Sequence, residues 1–332
     1  MIIAVDAAGG DFAPHEVVKG AIKAAQEFDN VEVALVGNKE ILHVLAGRYL
    51  NKLPISIVDA SEVIEFSEHA IQAIRAKPDS TIVVGINMLK EGKADAFVSA
   101  GHSGAVFAAA MLMLGKIENI SRPAIGTFIN LDPSKIAFLV DAGANVECRP
   151  EHLLWFAHLG SLYISQIYGI KSPRVGLLSN GAEETKGNQL VVETHQLLKK
   201  ARLNFIGNIE GHDIMTGNAE VIVTDGFTGN IVLKLVEGVY DVWLDSLKDV
   251  GQTMAKAYRQ SLQTLNVDLD MESWAKRLDY REYGGACLLG VNGNVIISHG
   301  RSQAKAIKNA IGLAMKTAER AMPQLIKEEK ND

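Results

Sequence analysis

The sequence predicts a layered α/β fold built on a mixed sheet, and three observations carry that prediction. Strand-like and helix-like hydrophobic patterns alternate almost from end to end. Two apolar runs, 124–129 and 136–140, flank the turn Asp132-Pro133-Ser134, and strands joined so closely must run antiparallel. Several other apolar runs stop at polar, glycine-bearing loops and resume at helical spacing, as βα turns do.

Taken in order, Ile2 to Val5 reads as a buried strand. Pro14 to Phe28 reads as a helix, with Pro14 near its first turn and Val17, Val18, Ala21, Ile22 and Ala25 on one face. Val31 to Val36 and Ile55 to Val58 are strands, followed by an apolar run from Ile71 to Ala76 and a polar break at Lys77-Pro78-Asp79-Ser80. Thr81 to Gly92 is helical and delivers the chain to a strand ending at Ser99. Beyond the hairpin, Asp141-Ala142-Gly143-Ala144-Asn145 is a glycine-bearing loop. Pro150 to Tyr168 is a helix on which His152, Trp155, Phe156 and Leu159 share a stripe, so His152 and His158 read as packing or surface residues. A strand at Val175, a helix from Gly187 to Ala201 and a strand from Asn204 to Gly211 follow. Next comes the strand Val221 to Thr224, the loop Asp225-Gly226-Phe227-Thr228-Gly229-Asn230 and the helical spacing of Ile231, Leu235, Val239 and Val242. A long helical arm is expected over 236–275, its apolar face free to pack on the core, on a second copy or on a bilayer surface. The chain closes with a hairpin from Leu288 to Ser298, turning at Asn292-Gly293, and a helix from Ser302.

Composition bounds the function. With 332 residues, 48% of them hydrophobic, and only 8 prolines, the chain can bury a large core. A formal net charge of -6 argues against nucleic acid as the main partner, since a phosphate-backbone binder needs a basic face. Two cysteines, Cys148 and Cys287, give neither a disulfide framework nor a metal spacing and fit a reducing cytosol. Met1 leads straight into a strand, no run is long enough to span a membrane, and a cytoplasmic protein is expected.

The chemistry is expected in the loops. The pattern Gly-x-Ser/Thr-Gly occurs twice between strand and helix, at Gly101-His102-Ser103-Gly104 and at Gly226-Phe227-Thr228-Gly229. Backbone N–H groups at a helix start lack intrahelical acceptors and sit at the positive end of the helix dipole, and glycine lets an anion approach them. A plain βα turn capped by Thr228 or Asn230 is the alternative reading of the second loop. Further glycine-bearing loops, Asp6 to Asp11 and Asn180 to Asn188, suggest one composite site.

Together these loops resemble one family, the acyl-carrier-protein:phosphate acyltransferases known as the PlsX family. The resemblance runs through Val5-Asp6-Ala7-Ala8-Gly9-Gly10-Asp11, Ser99 to Ala105, Lys186-Gly187-Asn188, Phe205 to Gly211, Asp225 to Asn230, Asp279 to Ala286 and His299-Gly300, in order along the whole chain. The chain departs from the family pattern at Ala8, Phe12, His102-Ser103 and Cys287, where family members often carry Met, His, Asn-Thr and Pro.

The resemblance implies a three-layer α/β/α fold like that of the isocitrate and isopropylmalate dehydrogenases, with residues 1–332 as one unit of two intertwined halves in a homodimer. It implies transfer of a long-chain fatty acyl group from acyl carrier protein to inorganic phosphate, giving an acyl phosphate for phospholipid synthesis, with no cofactor and no metal. Phosphate is then the nucleophile, and no nucleophile–base pair is visible in the motifs. Phosphate is assigned to Gly101, His102, Ser103, Gly104, Gly226, Thr228 and Gly229; Lys186 supplies a point charge and Asn188 or Asn230 an amide donor. Asp225 and Asp6 hold these groups in place, with Gly9 and Gly10 beside them. Arg281 either pairs with phosphate or locks its turn, and His299 reads as a structural histidine. Trp243, Lys248, Tyr258 and Arg259 on the arm are candidates for contact with the carrier protein, the membrane or a membrane acyltransferase. The rival readings are a short-chain phosphotransacetylase acting on acyl-CoA, a nicotinamide-dependent dehydrogenase, for which the full Gly-x-Gly-x-x-Gly is missing, and a non-catalytic scaffold for lipid synthesis.

Overall fold

The computed structural model describes residues 1–129, 135–239, 242 and 284–328. Its strands are β1 (Ile2–Asp6), β2 (Glu32–Gly37), β3 (Ile55–Asp59), β4 (Ala96–Ser99), β5 (Ala124–Phe128), β6 (Phe138–Val140), β7 (Val175–Leu178), β8 (Phe205–Ile209), β9 (Val221–Val223), β10 (Ala286–Leu289) and β11 (Asn294–Ile297). Among the described residues they form one sheet in the order β3-β2-β1-β4-β11-β10-β5-β6-β9-β7-β8. Its two ends are parallel: β3, β2, β1, β4 and β11 run one way, and β6, β9, β7 and β8 run the other. Between them β10 and β5 are antiparallel to each neighbour, so the sheet is mixed as expected. Both predicted hairpins exist as antiparallel pairs, β5 with β6 and β10 with β11. The Asp132-Pro133-Ser134 turn lies outside the described residues.

Side chains alternate between the two faces of the sheet, as the two-residue period of a strand demands. Ile3, Val5, Val98, Phe138, Val140 and Val221 pack on one face. They meet α1 (His15–Glu27), α2 (Lys39–Leu50), α6 (Pro150–Tyr168) and the helix Ala304–Glu319 through Val17, Leu42, Phe156 and Ile307. On the other face Ala4 and Phe97 pack under α3 (Ala70–Ala76), α4 (Thr81–Lys90) and α5 (Ser103–Ala109). Further along that face, Leu139 and Ile222 pack under a 3-10 turn, Gly211–Met215, and the helix over 226–239. The result is three layers.

Several elements follow directly from local chemistry. In α6, Pro150 occupies the first turn and Gly169 closes the helix at φ 74°, a left-handed conformation that glycine adopts without penalty. His152 is buried, and its Nδ1 accepts from the Arg149 amide, so it is the packing residue its stripe suggests. Sequence reasoning passed over α2, although Asn38 marks its start by accepting from the Ile41 amide at 3.1 Å. The apolar run at Ile71 is the helix α3.

The arm lies outside the described residues apart from 236–239 and Val242, and with it Trp243, Lys248, Tyr258 and Arg259; Arg281 lies outside them too. Among the described residues no helix is long and apolar enough to cross a membrane.

Candidate active site

The α5 and 226–239 helices flank the same face of the sheet, and among the described residues no helix covers its antiparallel centre between them. A cleft of about 530 Å³ lies there, within the range of ligand pockets. Its lining includes Ile125 and Thr127 of β5, Ala286 of β10 and Ile297 of β11. Phe66, Ser103 and Gly143 also line it, as do Asn230, Leu233, Lys234 and Glu237 of the 226–239 helix. Asp11 and the turn Ser298 to Ser302 also line it.

Two loops beside the cleft are held by buried aspartates. Asp6, at the end of β1, accepts from the Ser99 hydroxyl at 2.6 Å, and Ser99 Oγ in turn accepts from the Gly101 amide at 3.0 Å. Burial pushes the Asp6 carboxyl pKa up, against the hydrogen bonds from Ser99, Thr81 and the Ala8 and Gly9 amides. The β1 and β4 loops meet so closely that a Cβ on Gly9 would come within 2.7 Å of the Gly101 nitrogen.

Asp141 plays the same part at the end of β6, and sequence reasoning gave it no role. Its Oδ1 accepts from the amides of Ile125, Gly143 and Ala144, and its Oδ2 from the amide and side-chain nitrogen of Asn145. Burial pushes its pKa up against the hydrogen bonds from Ala144, Ile125 and Asn145. Asn145 then passes the constraint on, because its carbonyl accepts from the Gly226 amide at 2.8 Å. The only sequence signal was the Asp-x-Gly punctuation after a strand.

The loop after β9 requires a correction. Asp225 caps the following helix, accepting from the Thr228 amide at 2.9 Å and the Thr228 hydroxyl at 2.8 Å. The Gly229 amide donates to the Asp225 carbonyl and the Gly226 amide to Asn145. The expected phosphate donors at Gly226, Thr228 and Gly229 are thus spent on the chain's own acceptors, and a carboxylate already occupies the helix start. Of this loop only Asn230 lines the cleft. Its side-chain amide has no hydrogen-bond partner among the described residues.

The loop after β4 keeps its donors. Ser103 and Gly104 begin α5, are exposed, and their backbone N–H groups have no acceptor among the described residues. His102 is different: its Nδ1 accepts from the Ala105 amide and its Nε2 lies 3.1 Å from the Glu68 carbonyl, so both ring nitrogens are committed. The ring stacks beside Phe66, which lines the cleft. The His102 side chain thus caps α5 and tethers the 65–68 segment, and whatever this residue offers phosphate comes from its backbone.

Lys186 and Asn188 do not line the cleft. Lys186 is exposed in the β7 loop, and Asn188 Oδ1 accepts from the Val191 amide at 2.9 Å as the cap of α7 (Gln189–Leu198). Their strand, β7, is separated from β6 by β9, which carries these side chains away from the sheet centre. A different cation is present: Lys234 lines the cleft one helical turn beyond Asn230. The i, i+4 spacing of Asn230 and Lys234 was the available signal. Gly9 packs against the Asp6 carboxylate, and Gly10, at φ 109°, against Ala100 and Gly300.

The chain matches the family model described as "Fatty acid synthesis protein" over residues 1–325. The chain belongs to this family. A "Phosphate acyltransferase" of Dehalococcoides mccartyi is 56% identical over 329 residues, covering 99% of this chain and 94% of that protein. One of Pelotomaculum thermopropionicum with the same name is 47% identical over 319 residues, 96% of this chain and 92% of the relative. Among solved structures, the EutD phosphotransacetylase from Staphylococcus aureus matches with a TM-score of 0.59 at 17% identity, over 96% of this chain and 94% of that one. A branched-chain phosphotransacylase from Enterococcus faecalis matches with a TM-score of 0.57 at 13% identity, over 96% and 99% of the two chains. At such identities these structural likenesses speak for the fold of this family member alone.

Proposed function

We propose that the protein transfers a fatty acyl group from the thioester of acyl carrier protein to inorganic phosphate, releasing an acyl phosphate. The observation that carries this reading is the cleft itself, where, among the described residues, open anion donors meet no activated protein nucleophile. Ser103 presents a hydroxyl and a helix-start amide that, like that of Gly104, has no acceptor among the described residues, whereas the neighbouring His102 has no nitrogen left to serve it as a base. Phosphate held there is the nucleophile. Asn230 supplies an amide donor and Lys234 a positive charge from the facing helix, the part first expected of Lys186. Asp6 and Asp141 act through the loops they hold. Positioning phosphate against the thioester and holding the developing oxyanion are each worth several kcal/mol of barrier.

The homodimer and the contact with carrier protein or membrane belong to the same proposal. Phe227, Ile231, Leu235, Val239 and Val242 are exposed at spacings of three and four on the helix that forms one cleft wall, which supports an apolar partner surface there.

The test is release of free carrier-protein thiol from a long-chain acyl carrier protein, with and without inorganic phosphate, for wild type, Lys234→Ala and Lys186→Ala. Phosphate-dependent release, with the KM for phosphate raised about tenfold or more in Lys234→Ala, is expected from losing a charge-assisted contact. A loss confined to Lys186→Ala returns the cation role to the β7 loop. Turnover of short acyl-CoA without turnover of the carrier-protein thioester replaces the reading by a short-chain phosphotransacetylase.

A further inference from the structure

His299 stands on the turn after β11, and that turn is fixed on several sides. The Ser298 amide donates to the Ser99 carbonyl and the Ser302 amide to the His299 carbonyl, both at 2.8 Å. The Asp11 amide donates to the Gly300 carbonyl at 2.8 Å, and the Ser298 hydroxyl to the Gly284 carbonyl at 2.9 Å. The imidazole is therefore carried by a turn anchored to both the β1 and β4 loops, and it lines the cleft.

The hydrogen bonding also fixes where its proton sits. Nδ1 accepts from the Arg301 amide at 3.1 Å, so the neutral ring carries its proton on Nε2. Nε2 faces the Glu237 carboxylate on the opposite wall at 3.7 Å, which is longer than a hydrogen bond. Among the described residues this N–H has no hydrogen-bond partner. A committed acceptor on one side and an open donor on the other make a histidine suited to donate a hydrogen bond. It is not arranged to shuttle a proton: loss of the Nε2 proton would leave an imidazolate, and uptake at Nδ1 would oppose the Arg301 N–H.

We propose that His299 is a catalytic residue of the acyl transfer, its neutral Nε2–H donating to the thioester carbonyl oxygen and to the oxyanion that forms from it. This rests on the acyl-transfer reading above. A phosphate oxygen forms a bond to the carbonyl carbon while the carbonyl electron pair moves onto oxygen, where Nε2–H holds it. Collapse restores the carbonyl and breaks the carbon–sulfur bond, the sulfur leaving as thiolate with the bonding pair. His299 neither gains nor loses a proton in this sequence.

The experiment compares wild type, His299→Ala and His299→Gln in phosphate-dependent thiol release from a long-chain acyl carrier protein. kcat and the KM for phosphate are measured across pH, and unfolding midpoints confirm that the variants fold. The histidine side chain is 44% exposed, so neither change opens a core cavity. His299→Ala should lower kcat by about 10²–10³-fold, the usual cost of one oxyanion donor, with little change in the KM for phosphate. His299→Gln keeps an N–H donor but cannot titrate, and should stay within about tenfold of wild type. A kcat in His299→Ala near that of wild type overturns the proposal. So does a glutamine variant as inactive as alanine, and loss of a pH-profile limb with it would identify a proton-transfer role instead. If wild type itself shows no phosphate-dependent release, the acyl-transfer reading fails and takes this proposal with it, an outcome the wild-type control separates from the other two.

Discussion

The replacement Asp141→Asn tests whether the second half of the site is built on a buried carboxylate. Among the described residues Asp141 accepts five hydrogen bonds: three at Oδ1, from Ile125, Gly143 and Ala144, and two at Oδ2, both from Asn145. An amide of the same shape must turn its NH2 toward one of these groups. The less damaging choice faces Asn145 and leaves two buried donors unpaired. Each unpaired buried donor costs about 1–3 kcal/mol, giving about 2–6 kcal/mol in all. Removing a buried charge returns part of its desolvation cost, so the lower half of that range, about 2–4 kcal/mol, is expected. This is a large share of the 5–15 kcal/mol typical of a folded protein. The same change loosens the Asn145 carbonyl that holds the Gly226 amide, so activity should fall with stability. Urea unfolding gives the first quantity and phosphate-dependent thiol release the second. A stability loss below about 1 kcal/mol with activity retained would refute the role given to Asp141.

Three further outcomes are expected. Gly47→Ala, in α2 where the added methyl meets no described atom within 4 Å beyond its chain neighbours and its own helix backbone, should stabilise the protein by about 0.5–1 kcal/mol in the same urea titration. His102→Ala removes both the α5 cap and the tether to Glu68, costing about 1 kcal/mol for the cap alone, whereas His102→Asn can restore the cap; thermal unfolding should rank wild type, Asn, Ala. Burial raises the Glu220 carboxyl pKa, but the Arg174 guanidinium and amide outweigh it and hold the value below the ordinary glutamate range. A lowered folded pKa means that the contribution is full above the unfolded value and is lost as pH falls through the folded one. Wild type should therefore lose stability relative to Glu220→Gln only on the acid side, and a constant difference from pH 7 down to pH 3 would show that the pair is not responsible.

The amino-acid sequence by itself determined the fold class, the mixed sheet, both hairpins and the presence of glycine-bearing loops at strand ends. These rest on short-range physics. The two-residue period of Ile3, Ala4 and Val5 or of Phe138, Leu139 and Val140 sorts side chains between faces, and the short separation of the apolar runs 124–129 and 136–140 in the sequence forces antiparallel neighbours. A helix start is equally legible, and Asn38 before Ile41 was a cap in plain view. Which of those loops share a cleft was decided only by the tertiary structure. Strand order is not sequence order: β9 lies between β6 and β7, so the Asp225 loop stands beside the Asp141 loop while Lys186 and Asn188 move outward. Spacing along the chain likewise could not say whether a loop N–H is free. Thr228 and Ser103 occupy the same place in the same short pattern, yet Asp225 consumes the donors of one and nothing described consumes those of the other. His299 became a donor into the cleft for the same reason, since the Arg301 amide fixes its tautomer and β11 sets it facing Glu237 from a distant part of the chain. Those are long-range contacts, and only the packed chain creates them.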